Sequence, residues 1–144
     1  MEANTYCRAL NHGKPHGKGD RNAAGEREGV GVMVYASGDM YEGQWRAGRP
    51  EGEGMDDGAD GSRYEGQYVA GKMEGKGTYH YANGTVDVGR FKGDADVGEA
   101  ARWSADRATA WRLQDGQAVE KISLEEAARI AERVGLPVPA GASS

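Results

Sequence analysis

The chain has 144 residues, a net charge of −5, only 38% hydrophobic residues and 24 glycines. The acidic balance removes any overall electrostatic attraction to nucleic acid or an anionic bilayer, which leaves only local basic patches to exert one. So much glycine would suit a disordered chain, but seven tyrosines and three tryptophans point to a fold in which rings lie over glycines.

At the N-terminus, Met1–Thr5 is polar and lacks the apolar segment of a signal peptide, and no later run approaches the ~18 apolar residues of a membrane span. Cys7 is the sole cysteine, which excludes an internal disulfide framework and fits a reducing compartment. An intracellular protein is therefore expected, cytoplasmic or cytoskeletal, with an organellar home left open. Arg8, Lys14, Lys18 and Arg21, interleaved with His12 and His16, read as a solvated loop. The favoured arrangement is a first strand near Tyr6–Leu10, a loop over Asn11–Glu28 and a second strand over Gly29–Tyr35. The alternative is a truncated extra unit, since Tyr6, Gly13, Gly17 and Gly19 keep the spacing of the repeat described next.

From Tyr41 the chain repeats every 23 residues. Tyr41-Glu42-Gly43-Gln44-Trp45 returns as Tyr64-Glu65-Gly66-Gln67-Tyr68 and as Asp87-Val88-Gly89-Arg90-Phe91. Gly48 and Gly71 follow, then the pairs Gly52/Gly54 and Gly75/Gly77, with Gly29/Gly31 upstream and Gly98/Ala100 downstream. Each unit closes on an Ala-led segment: 36–39, 59–62, 82–85 and the decayed 105–108. Two short runs alternating with two turn signals describe a β-hairpin and its connection to the next. Asp60-Gly61 and Asn83-Gly84 are strong turn dipeptides, because glycine supplies positive φ and Asn or Asp tolerates it. Alternation places Tyr41, Gly43 and Trp45 on one strand face, and Gly75, Gly77, Tyr79 and Tyr81 likewise.

These residues resemble the MORN repeat, whose unit reads Tyr-Glu-Gly-x-Trp, a spaced Gly, then Gly-x-Gly. The resemblance covers about residues 6–109 and implies an all-β, single-layer antiparallel sheet, a solenoid of hairpins with an aromatic-lined groove. The expected organisation is a repeat array over 1–109, with units starting near 18, 41, 64 and 87 and an expanded or partial unit at 6–28. A C-terminal region follows over 110–144.

Two features depart from the pattern. Asp56, Asp57 and Asp60 suggest calcium, but Gln67 stands where an EF-hand loop requires Glu, and Asp60-Gly61 is already a turn. Val30, Val32 and Val34 make the Gly29–Tyr35 strand apolar on its second face, so the N-terminal segment, a helix or a partner should cover it.

After Ala110 the grammar changes. Trp111-Arg112-Leu113 and Ala118-Val119-Glu120 flank Asp115-Gly116 as a last hairpin. Ser123-Leu124-Glu125-Glu126 is a capping box, and Leu124, Ala127, Ala128, Ala131 and Val134 form an apolar stripe at helical spacing. Glu125 and Arg129 pair at i, i+4, and Gly135 with Pro137 ends a helix expected over about 124–134. That helix either caps its own sheet or docks on another molecule.

No catalytic constellation emerges. His12, His16 and His80 lack partners at motif spacing, Cys7 has no helical or triad context, and Gly29-x-Gly31 lacks the Lys-Ser/Thr ending of a phosphate loop. No enzyme, cofactor or metal site is expected. The candidate partner-binding residues are Tyr35, Tyr41, Trp45, Tyr64, Tyr68, Tyr79, Tyr81 and Phe91, because aromatic rings anchor interfaces with few rotors to freeze. The expected partner is a protein, offering a helix or extended peptide, or a second copy of the chain; nucleic acid is not expected. Membrane-surface or phosphoinositide association, which the resemblance also raises, is disfavoured by the charge.

Overall fold

The computed structural model describes residues 16–142. The chain divides into two compact units, Met1–Gly71 and Lys72–Ser144. In the first unit five strands follow chain order, each antiparallel to the next: β1 (His16–Arg21), β2 (Arg27–Val34), β3 (Met40–Arg46), β4 (Arg49–Asp57) and β5 (Arg63–Val69). The second unit continues with β6 (Lys72–His80), β7 (Val86–Lys92), β8 (Ala95–Trp103), β9 (Ala110–Gln114) and β10 (Gln117–Ile122), again an antiparallel meander, and ends in helix α1 (Leu124–Val134). The all-β class and the C-terminal helix agree with the reading of the sequence.

The hairpins use two kinds of turn. Arg46 and Arg49 pair across Ala47-Gly48, whose φ values of 50° and 82° are those of a two-residue turn that follows the strand twist. Gln114 and Gln117 pair in the same way across Asp115-Gly116, at 49° and 83°. The Ala-led segments form the wider connections, in which the Gly38 N–H donates to the Tyr35 carbonyl and the Tyr35 N–H to the Asp39 carbonyl, both at 2.9 Å.

The N-terminal expectation is corrected. The stretch assigned to a loop over Asn11–Glu28 contains β1, paired with β2 from His16↔Val34 to Arg21↔Arg27. The connection shrinks to 22–26, where the Asn22 side-chain oxygen accepts the N–H groups of Ala24 (2.9 Å) and Glu26 (3.0 Å). Gly17-x-Gly19 is thus strand rather than loop. A Cβ on Gly19 would stand 2.8 Å from the Gly31 Cα, so the two backbones approach closely where neither carries a side chain. The proposed strand at Tyr6–Leu10, with Cys7 and His12, lies outside the described residues.

The second unit keeps its main core on one face of the sheet. Val86 and Val88 of β7, Ala101 and Trp103 of β8 and Ala110 of β9 pack against Ala127, Ile130 and Ala131 of α1, with Ile122, Leu124, Leu136 and Val138 around them. The helix therefore caps its own sheet. Its buried stripe includes Ile130, fully enclosed, where the sequence reading named Ala128. Ser123 caps the start by accepting the Glu126 N–H at 3.0 Å, and Gly135, at φ 91°, returns its N–H to the Ala131 and Glu132 carbonyls. Lys76 and Arg90 reach the Gly135 and Arg133 carbonyls (3.4 and 3.3 Å), and Arg133 pairs with Glu99 at 3.0 Å. These cations lie where the helix dipole favours positive charge.

In the first unit Val32, Val34 and Met40 form a small buried cluster on the valine face, while Val30 stays 69% exposed.

Candidate binding face

The opposite face of the first unit is made of rings over glycines. Cross-strand pairing sets Met33 beside Tyr41, Tyr41 beside Asp56 and Asp56 beside Tyr64. Trp45, Tyr41, Tyr68 and Tyr64 contact one another in that order, edge to face, with centroids 5.0, 5.0 and 5.3 Å apart. This is the arrangement the ring quadrupole favours. Each leading tyrosine folds back on its own strand: the Tyr41 hydroxyl donates to the Gln44 carbonyl at 2.8 Å, and the Tyr64 hydroxyl to the Gln67 carbonyl at 3.1 Å. The Tyr41 ring lies directly on Gly54 and occupies the place a Cβ would take. Two residues earlier Gly52 holds φ 84°, a bulge conformation open to glycine. The Gly-x-Gly pair thus has two duties: its first glycine bends the strand and its second receives a ring.

The Tyr68 hydroxyl donates to Asp56 in a very short hydrogen bond. Burial, and then the Asp56 charge, push the phenols of Tyr68 and Tyr41 well above their ordinary range. The remaining aspartates once weighed for calcium are also engaged. Asp57 forms a buried ion pair with Arg63 at 2.7 Å, and Asp60 accepts the Ser62 N–H and hydroxyl, which lowers its pKa below the usual carboxylate value. Among the described residues no group of three His, Cys, Asp or Glu side chains could hold a metal ion.

In the second unit the equivalent repeat positions carry different chemistry. Asp87 takes the position of Tyr64, and Arg102 that of Tyr79. Asp87 is 1% exposed and fully engaged: Arg102 donates to its two oxygens at 2.7 and 2.9 Å, and the Tyr81 hydroxyl donates at 2.9 Å. The guanidinium also lies 5.4 Å from the Tyr81 ring centre. The bond to Asp87 raises Arg102, while burial and the Asp87 charge push Tyr81 up to about 12. At these two positions an ion pair stands where the repeat carries tyrosines.

Beside this network opens a cleft of about 370 Å³, whose lining includes Tyr81, Asn83, Thr85, Arg102, Trp111 and Ala118. The Arg102↔Trp111 and Asp87↔Arg102 pairings put it on the face opposite α1.

The eight candidate rings thus fall into three groups. Tyr41, Trp45, Tyr64, Tyr68 and Phe91 are buried in the protein's own packing, Tyr35 is exposed, and Tyr79 and Tyr81 are half-buried and in contact, centroids 4.8 Å apart. Trp111 was missed, because outside the repeat only the β8–β9 register brings it to this face. Also missed were Glu28, Glu51 and Glu74, whose carboxylates accept hairpin-tip N–H groups of Ala47, Ala70 and Gly93 at 3.2, 2.7 and 3.3 Å. Their 23-residue spacing, each just before a Gly-x-Gly pair, was the available signal.

The MORN repeat family model matches residues 10–21, 23–40, 41–63 and 64–86, just over half of the chain. The chain is a MORN-repeat protein. The match at 10–21 agrees with β1 being a partial MORN unit rather than a loop. No curated protein matches the chain. MORN repeats form a non-enzymatic family that mediates protein or membrane interactions. Among the described residues of this MORN chain no helix is long and apolar enough to cross a membrane.

Proposed function

We propose that this MORN chain is a non-catalytic scaffold that holds a helix or extended peptide of a partner protein, inside the cell, as an accessory subunit of a larger assembly. The observation that carries the reading is the asymmetry of the second unit. Helix α1 covers one face of the sheet, and the other keeps accessible rings, Tyr81 and Trp111, around an open cleft. Rings of this kind bury large area on binding at low conformational entropy. Tyr41, Trp45, Tyr64, Tyr68 and Phe91 then serve as the rigid platform of the array. Tyr35, exposed at the end of β2, is the accessible ring of the first unit.

The test is native co-purification with mass spectrometry, comparing the wild type with a Tyr81→Ala/Trp111→Ala chain. The double variant is expected to lose a stoichiometric partner while its circular dichroism spectrum is unchanged. An identical partner set in a folded variant rejects the reading.

A further inference from the structure

The cleft on the open face of the second unit has a chemistry specific enough to name its occupant, given the scaffold reading above on which this inference rests. Its walls are two rings, Tyr81 and Trp111, with Ala118 between polar groups. Those polar groups are mainly donors. The Trp111 indole N–H, the Thr85 hydroxyl and the Arg102 Nη1 have no hydrogen-bond partner among the described residues. Asn83 uses its side-chain oxygen on the Thr85 N–H at 2.9 Å, so its amide N–H groups are what it has left to offer. The Tyr81 hydroxyl already donates to Asp87.

The charge of the site selects among acceptors. Arg102 is neutralised by Asp87 at 2.7 Å. An anionic ligand, whether phosphate or carboxylate, would meet a site with no net positive charge. A neutral carbonyl oxygen meets no such penalty and satisfies the donors.

A partner backbone in strand or loop conformation brings an N–H for every carbonyl, and this cleft offers few acceptors for them. Proline has no N–H, and a polyproline II segment presents its carbonyls outward while its rings pack flat on aromatic walls. We infer that the Tyr81–Trp111 cleft binds a proline-rich segment of a partner protein, held by stacking on the two rings and by donation from Trp111 and Asn83 to backbone carbonyls.

The experiment is a titration of the full ¹⁵N-labelled chain with decaproline, followed by proton–nitrogen correlation spectra. The expected result is saturable shifts at the Trp111 indole N–H and the Asn83 side-chain amide. Trp111→Ala is expected to weaken binding about tenfold, and Trp111→Phe, which keeps a ring and removes the donor, by a smaller factor. An amphipathic Leu/Lys helical peptide, inositol hexakisphosphate and phosphatidylserine vesicles are the competing probes. Shifts at Trp111 from the helical peptide but not from decaproline overturn the proline inference and leave the scaffold reading standing. Shifts from the phosphate or the vesicles alone overturn the inference and assign the cleft to anions. Decaproline binding that survives unchanged in Trp111→Ala places the peptide elsewhere and also overturns it.

Discussion

The two units of the chain start from the same shortage of aliphatic residues and resolve it in different ways. In the first, the largest buried side chains are rings, linked edge to face from Trp45 to Tyr64 and seated on glycines. In the second, valines, alanines and Trp103 are sealed by a helix, and the ring face has become an ion-pair network with an open cleft. A sheet without a second layer can bury its rings only on itself. Once a helix supplies the layer, the other face is released from that duty and can carry accessible chemistry.

The largest effect expected from breaking this arrangement comes from under the helix. Ile130 is fully enclosed, so Ile130→Ala should lower the unfolding free energy by about 2–5 kcal/mol. Urea denaturation measures the loss, and amide exchange should quicken in β7–β9 before β3–β5. Equal acceleration in both units would refute the division of labour. Next comes Asp87, where Ala removes the partner of a partly buried Arg102 at an expected cost of about 3 kcal/mol. The comparison sharpens with Asp87→Tyr combined with Arg102→Tyr, which places at these positions the residues found 23 earlier, Tyr64 and Tyr79. The double variant should be more stable than the sum of the single effects by about 1–3 kcal/mol. Simple additivity would mean that the two positions do not act as a coupled pair.

A smaller effect is expected on the ring face of the first unit. Gly54→Ala puts a methyl group into the Tyr41 ring, and displacing that ring should cost about 1–3 kcal/mol. Near-ultraviolet circular dichroism should report the moved tyrosine, and an unchanged spectrum would show that the ring does not depend on Gly54.

Much of this was legible in the sequence, for identifiable reasons. From Gly29 on, the 23-residue spacing fixed strand order and the face carrying Tyr41 and Trp45, because hairpin geometry allows few other solutions. Asp60-Gly61 and Asn83-Gly84, by contrast, lie in the wider connections, and a two-residue turn falls at Ala47-Gly48. The helix was equally readable, since Ser123, Glu126 and Gly135 act on their immediate neighbours. Most of what failed was non-local. β1 was hidden because Lys18, Asp20 and Asn22 stand where the units downstream carry Tyr, Gly and Trp, although Gly25 keeps the spacing of Gly48 and Gly71. The burial of Tyr64 and Tyr68 depends on neighbouring strands and on Asp56, and the place of Trp111 depends on register with Arg102. Neither can be derived from one strand read alone.

The smallest expected effect distinguishes the faces by pH. Tyr81 is held up to about 12 from an ordinary 10.0, so the folded state prefers the neutral phenol. Its contribution to stability is complete below pH 10 and is lost as pH rises through about 12. Tyr41 and Tyr68 are displaced in the same direction and lose stability on the same limb. Urea midpoints measured from neutral pH into the phenol range should therefore fall for the wild type. Tyr81→Phe, which removes one titrating group from the second unit and leaves the first unit's rings intact, should fall less steeply. Parallel slopes would mean that Asp87 does not hold the Tyr81 proton, and the ion-pair network would then consist of Arg102 and Asp87 alone.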